Sequence, residues 1–381
     1  MREIGIALLG SKFMGKAHSN AWSQVSRFFD VPRLPVLRHI AARDAAFLEA
    51  FADRWGWNRW TTNWVEAIAD PEVDLVDIGT PNHLHHDQAI AAMEAGKDVA
   101  CEKPLAGTLS DARSMAATAV RTGRQTFVWH NYRRVPAVAL ARQLVQEGRL
   151  GRIYHVRAAY LQSWAGPDTP LDWHFSRDQA GTGAHGDLNA HIVDMARFVT
   201  TDEITEVIGA AEERFIDERP LPGSPTDRGR STVDDAVLFL ARFEGGAIGS
   251  FEATRLATGF KNSNRMTIHG ESGALSFDFE AMNELQFFDA TEEPRLQGWR
   301  KILVTGADHP YASNWWPDGH WLGYDHTFTH QAADILTVID GGEPVVPIPD
   351  FADALQTQRI LEAALISARE RCPVSIADLV T

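Results

Sequence analysis

Cysteine is nearly absent. Of 381 residues, only Cys101 and Cys372 carry a thiol. Two thiols so far apart set up neither a disulfide framework nor a thiolate metal cluster, and they suit a reducing cytoplasm. Long apolar runs are missing as well: none approaches the roughly 18 residues of a membrane span. The opening MREIGIALLG enters a strand-like run directly, with no small-residue cleavage site, so no secretory signal is read. Positive charge is in short supply, with 36 Lys and Arg against 51 Asp and Glu, a net charge of −15. Such a surface repels phosphate backbones and anionic lipid, so neither nucleic acid nor a membrane is expected as partner. Fixed-period repeats are lacking too. What remains is 44% hydrophobic and 23% charged, the balance of a chain that buries a sizeable core. The length favours two domains over one.

The first third alternates short apolar runs with helical patterns. Strands are predicted at 4–9, 36–41, 75–78, 98–101 and 126–129, and helices at 15–28, 44–55, 87–95 and 111–121. That alternation predicts an α/β domain with a doubly wound parallel sheet over residues 1–130. From residue 131 the grammar changes. After a helix at 137–146, strands are expected at 153–160, 237–243, 247–252, 266–269 and 274–279, some joined by glycine-containing turns. This is antiparallel pairing, and it assigns 131–381 to a second domain. A last helix is expected near 352–370. The stretch 219–230, rich in Pro, Gly and Arg, reads as an exposed loop.

Strand 4–9 runs straight into Gly10-Ser11-Lys12-Phe13-Met14-Gly15 and a helix. Gly10 suits the tight turn and Gly15 the close packing of helix on strand. The helix start then offers N–H groups to a pyrophosphate. A dinucleotide fingerprint has a third glycine where Lys12 stands, so that side chain must point away from the cofactor. At the tip of the second strand, Ala42 and Arg43 replace the acid that would hold a ribose 2′-hydroxyl. Arginine there suits a 2′-phosphate, which favours NADP over NAD. Asp44 is either a displaced ribose ligand or the cap of the next helix.

Thr80-Pro81-Asn82-His83-Leu84-His85-His86 follows the 75–78 strand. Three histidines in four residues invite a zinc reading. No companion CxxC or HExxH spacing supports it, so a polar helix start along the cofactor path is favoured and no metal is expected. Glu102-Lys103-Pro104 follows the next strand. A lysine there can donate to a substrate hydroxyl and stabilise a forming alkoxide; the plainer reading is a solvated Glu-Lys pair. Further on, Gly181-Thr182-Gly183 leads into a helix bearing Asp187 and His191. Four residues apart, they share a face beside an apolar stripe of Leu188, Ile192, Met195 and Val199, on a helix expected to be half buried. Histidine titrates near neutrality and suits removal of a hydroxyl proton, with a carboxylate to orient it. A capping Asp beside a core His is the plainer alternative.

Gly10…Gly15 with His18, Thr80-Pro81-Asn82 with His85, Glu102-Lys103-Pro104, Asn131-Tyr132-Arg133-Arg134 with Pro136, and Gly183 to His191 together resemble the glucose–fructose oxidoreductase / inositol dehydrogenase / rhizopine-catabolism family (Gfo/Idh/MocA). The likeness spans essentially the whole chain. Phe13 to Ser19, Tyr160-Leu161-Gln162 with Trp164, and 183–198 are most similar to levoglucosan dehydrogenase-like members. The resemblance implies an N-terminal Rossmann domain and a C-terminal α/β domain with a large, mostly antiparallel open sheet. It implies NAD(P)-dependent oxidation of sugars or cyclitols, with catalytic roles for Lys103, Asp187 and His191. Cofactor contacts then fall to Gly10, Lys12, Phe13, Met14, Gly15, Ala42, Arg43, Thr80, Pro81, Asn82, His85, Glu102, Lys103 and Asn131.

On the substrate side stand Lys103, Asp187, His191, Tyr132, Arg133, Gln162, Trp164 and Trp173, because aromatic faces stack on sugar C–H groups and polar tips read hydroxyls. His326 joins them from an aromatic, His-rich stretch. His174 departs from the arginine more usual in the family. Lys103 and His191 can exchange acid and base labels. Transient oxidation followed by glycosidic elimination, a non-catalytic sensor and a His-based metal hydrolase are the competing readings. A half-exposed sheet invites covering, so a homodimer or homotetramer is expected.

Overall fold

The computed structural model describes residues 2–224 and 226–379, and the chain divides into two compact units. The first takes up residues 1–134, 313–316 and 322–355, the second 135–312, 317–321 and 356–381. Residues 322–355 lie far beyond the 130/131 boundary expected from the sequence. Much of that segment is the helix Tyr324–Ile339, whose Phe328, Ala332, Ile335 and Leu336 are buried in the first unit's core with Ile6, Leu8 and Trp22. Their spacing is that of an apolar helical stripe, a signal legible in the sequence itself.

The first unit carries strands β1 (Arg2–Leu9), β2 (Arg33–Ala41), β3 (Arg59–Thr61), β4 (Leu75–Ile78), β5 (Asp98–Cys101) and β6 (Thr126–Val128). They form one parallel sheet in the order β3-β2-β1-β4-β5-β6. Helices α1 (Phe13–Phe28), α2 (Ala45–Trp55), α3 (Trp64–Ala69), α4 (His85–Glu94) and α5 (Leu109–Thr122) connect them. This is the doubly wound arrangement. The strand order reverses between β1 and β4, and the crevice beyond that switch point is where such sheets bind ligands. β4 and β5 are buried almost throughout, as continuous apolar runs in a covered parallel sheet must be.

The second unit is built on a nine-stranded sheet. Its elements begin with α6 (Pro136–Gln146), β7 (Ile153–Leu161), α7 (Arg177–Ala180) and α8 (Ala190–Thr200). Then follow β8 (Ile204–Glu213), β9 (Glu218–Pro220), β10 (Arg228–Arg230), β11 (Ala236–Phe243), β12 (Ile248–Thr254), β13 (Ser263–Gly270), β14 (Gly273–Asp278), β15 (Glu284–Asp289), β16 (Arg300–Leu303) and β17 (Val374–Ser375). The order is β16-β15-β14-β13-β7-β12-β11-β8-β17, antiparallel except for the pair β7 and β12. Helices α6 and α8 cover one face. On the other, Leu238, Leu240 and Ile248 remain exposed, and a shallow groove crosses Ala159, Gly209, Ala211 and Ser250.

Two expectations need correction. Residues 219–230 are not simply a loop. β9 and β10 pair as a small antiparallel ribbon, and Arg219 is fully buried, donating to Asp235 at 3.2 Å and stacking over Phe175. A guanidinium accepts burial when a carboxylate and an aromatic face replace its water. The helix of His191 is not half buried either: every residue of α8 is enclosed, because it packs on α6 and on the covered face of β7 and β13.

Candidate active site

In the first unit, β1 ends at Leu9 and the chain turns through Gly10, where φ is +113°. A Cβ at Gly10 would lie 2.5 Å from the carbonyl oxygen of Gly79, and one at Gly15 would lie 2.5 Å from that of Gly10. Backbone therefore meets backbone on both sides of the turn, and only glycine fits. No side chain caps the start of α1, and the first amides of a helix have no partner within it, which suits an anion. Lys12 stands at that start with its Nζ 4.7 Å from the ring centre of Phe47, directed off the turn. Phe13 is 65% exposed and stacks on Tyr324, while Met14 is half buried. These features fit the pyrophosphate of a dinucleotide. At the tip of β2, Ala42 is half buried and Arg43 exposed. Asp44 caps α2, accepting the Phe47 amide at 3.2 Å.

The histidines after β4 are tied into the fold. His85 is buried, with Nε2 2.9 Å from the Thr80 carbonyl and Nδ1 3.1 Å from that of Pro104. Burial pulls its pKa down against the pull of those carbonyls. His86 meets Asp87 and Ser114. Thr80 donates to Gln88 at 2.7 Å, and Pro81 and Asn82 open the short turn before α4. Among the described residues, no group of three or more His, Cys, Asp or Glu is placed to hold a metal.

Glu102-Lys103 is no solvated pair, because Glu102 is buried. Its Oε1 lies 3.1 Å from Nε2 of His18, and its Oε2 accepts the Lys103 amide at 3.0 Å. The other ring nitrogen of His18 lies 3.0 Å from Asp77, whose carboxylate also accepts from the indoles of Trp22 and Trp129 at 2.7 and 2.8 Å. Burial opposes charge on His18, but Asp77 and then Glu102 outweigh it and raise its pKa to about 9. Asn131 is buried and donates to Thr327 at 2.8 Å. Arg133 is buried against Asp353, and Tyr132 is buried with its ring 6.4 Å from Tyr324. His326 accepts the Gly323 amide at 3.0 Å, closing the start of the helix Tyr324–Ile339.

In the second unit, Asp187 and His191 straddle a change of winding. Residues His185–Asn189 form a π-turn, and α8 continues from Ala190. Such turns recur at functional positions because the wider winding re-aims side chains. Asp234 fixes the start, accepting the amides of Gly183 and His185 at 2.7 and 2.8 Å. A Cβ at Gly183 would lie 1.9 Å from the Asp234 carbonyl oxygen. Arg255, buried at the end of β12, donates to Asp187 through Nε at 3.2 Å and Nη2 at 2.9 Å.

Beside them runs a polar chain. Trp164 donates to Gln162 at 2.7 Å, Gln162 to Asn262 at 2.8 Å, and Tyr160 to the same Asn262 oxygen at 2.7 Å. The Tyr160 ring lies 5.8 Å from that of His191. Trp173 stacks on His174 at 3.9 Å, and Trp164 stands 5.6 Å from His174 with Arg255 over its face. The structure thus brings Gln162, Trp164, Trp173, Asp187 and His191 into one neighbourhood of the second unit, with Arg255, Asn262 and Asp234 as residues the sequence reading missed.

Comparison with known proteins identifies the family. A family model described as the oxidoreductase family NAD-binding Rossmann fold matches residues 4–130, and one described as the GFO/IDH/MocA C-terminal domain matches 138–276. The chain belongs to the Gfo/Idh/MocA oxidoreductase family. The levoglucosan dehydrogenase of Pseudarthrobacter phenanthrenivorans is 39% identical over 100% of both chains. Among solved structures, an oxidoreductase domain protein from Kribbella flavida shares 50% identity and a TM-score of 0.94, covering 99% of this chain and 100% of that one. A levoglucosan dehydrogenase in complex with NADH and L-sorbose shares 40% identity and a TM-score of 0.94 over 99% of each. As a Gfo/Idh/MocA oxidoreductase, the protein is a dehydrogenase of the NAD-binding Rossmann class. No helix among its described residues is long and apolar enough to cross a membrane.

Proposed function

We propose that this oxidoreductase oxidises a ring hydroxyl of a pyranose-type sugar, with levoglucosan first among the substrates to try. The polar and aromatic cluster next to His191 carries the reading. Trp164 and Trp173 offer faces to sugar C–H groups, and Gln162 with Asn262 offers a fixed set of donors and acceptors. Buried Tyr132 and Arg133, the latter paired with Asp353, are the substrate-side candidates of the first unit.

A nicotinamide dinucleotide, when bound, supplies the hydride acceptor. The turn Gly10–Gly15 would hold its pyrophosphate, and Thr80, Pro81 and Asn82 would contact it. His191 accepts the hydroxyl proton, Asp187 orients the imidazole, and the Lys103 ammonium donates to the oxygen as negative charge gathers there. Arg43, the charged side chain left at the β2 tip once Asp44 caps α2, favours NADP. The NADH found in the levoglucosan dehydrogenase structures favours NAD as the second reading.

Function in the cytoplasm fits the two unpaired cysteines. A homodimer or homotetramer, joined through the open sheet face at Leu238, Leu240 and Ile248, would cover its apolar stripe.

The test is a panel of sugars and cyclitols with each dinucleotide, following the absorbance of the reduced cofactor. Reduced cofactor should accumulate with a pyranose, and His191→Ala should lower turnover by about 100-fold. No accumulation with any sugar, or full turnover in that variant, would overturn the reading. Light scattering decides the assembly, and a monomer at micromolar concentration would refute it.

A further inference from the structure

We propose that His18 is a positioning residue for Lys103, acting through the carboxylate of Glu102. The inference rests on the reading that Lys103 acts on the substrate. His18 lies on α1, one turn beyond the glycine turn. Its ring is fully buried, flanked by Trp129 at 4.4 Å and Phe328 at 5.6 Å, with Asp77 on one nitrogen and Glu102 on the other. Nothing in the proposed chemistry uses this ring directly.

The geometry shows what it holds. Asp77 accepts from His18, Trp22 and Trp129, so its orientation is settled without Glu102. Glu102 differs: His18 sits on Oε1, and the Lys103 amide sits on Oε2. The plane of its carboxylate is therefore set by a protonated ring from α1 and in turn sets the peptide on the N-terminal side of Lys103. On the other side, the Pro104 carbonyl is held by His85. Lys103 stands between two buried clamps at the carboxyl end of β5, beside the switch point of the sheet. A side chain at 18 that cannot reach both carboxylates leaves Glu102 Oε1 without its His18 partner, and the Glu102 carboxylate turns away. That turn releases the Lys103 amide. A displacement of about 1 Å at a reacting group costs on the order of 100-fold in rate.

The experiment is a double-mutant cycle between His18→Gln and Lys103→Met, reading kcat and the dinucleotide Kd. His18→Gln should lower kcat by about tenfold or more while the Kd stays within about threefold, and in the Lys103→Met background it should lower the residual kcat by less than about twofold. Equal losses in both backgrounds, or a Kd that rises in step with the loss of kcat, would mark His18 as merely structural and overturn the proposal. So would an unchanged kcat in His18→Gln. Near-normal turnover in Lys103→Met alone would remove Lys103 from the mechanism, and the proposal with it; that single variant separates the two failures. If His18→Gln does not fold, Glu102→Asp takes its place. It keeps every charge but withdraws the carboxylate from the Lys103 amide, and the same pattern is expected.

Discussion

Arg255 grips Asp187 from below, with Nε at 3.2 Å and Nη2 at 2.9 Å from one carboxylate oxygen. The guanidinium is nearly enclosed, whereas the carboxylate side chain is 29% exposed. A carboxylate held this way keeps its direction while its outer side stays accessible.

Replacing Arg255 by Met should therefore lower kcat by about tenfold through a misdirected Asp187, and cost about 2 kcal/mol of stability. Arg255→Lys should recover part of the stability but less of the rate, since a point charge lacks the fork. Steady-state kinetics and denaturant melts on the three proteins check this. Equal kcat in all of them would detach Asp187 from the pair.

The start of the helix that bears Asp187 and His191 depends on Asp234. Asp234→Ala removes the acceptor of the Gly183 and His185 amides and should destabilise the protein by about 2 kcal/mol. Gly183→Ala, which drives a Cβ into the Asp234 carbonyl, should unfold or displace the same turn. Urea midpoints measure both, and turnover should fall more than sugar KM rises, because the turn aims Asp187 and His191.

Gly10→Ala tests the dinucleotide turn. The added carbon meets the Gly79 carbonyl oxygen at 2.5 Å on a backbone whose φ is already positive. Dinucleotide affinity should drop by at least about tenfold, read by fluorescence titration, with the second unit's elements undisturbed by circular dichroism.

Two buried histidines of the first unit should set its pH window from opposite sides. His18 titrates near 9 when folded, against an ordinary 6.5, so the folded state binds the extra proton between those values and stability is lost as pH rises through them. His330 is held neutral. Burial pushes its pKa down to about 3, its Nδ1 meets the Arg134 carbonyl at 2.9 Å, and its Nε2 accepts the Trp315 indole at 2.7 Å. There the unfolded chain takes the proton first, and stability is lost as pH falls from about 6.5 toward 3. Melting temperature against pH should show a maximum near 6.5 that falls on both sides. His18→Gln should flatten the alkaline fall and leave the acid one.

Much of this protein follows from local pattern. Apolar runs at 75–78 and 98–101 could only be covered parallel strands, and the observed ranges coincide with them. The glycine turn was visible because backbone contact admits no other residue, and Lys12 turns aside as its position demanded. Asp187 and His191 stood out through their spacing on an apolar-striped segment. Other features depend on residues far apart in sequence. Nothing near Asp234, Arg255 or Asn262 announces a role, since each acts through a partner some 50 to 100 positions away. The burial of Glu102, the charge on His18 and the π-turn at Asp187 likewise depend on which strands and helices meet. Period and composition report which face of an element is apolar. Only the packed fold decides which carboxylate a buried cation finds, because electrostatic pairing depends on distance through space rather than along the chain.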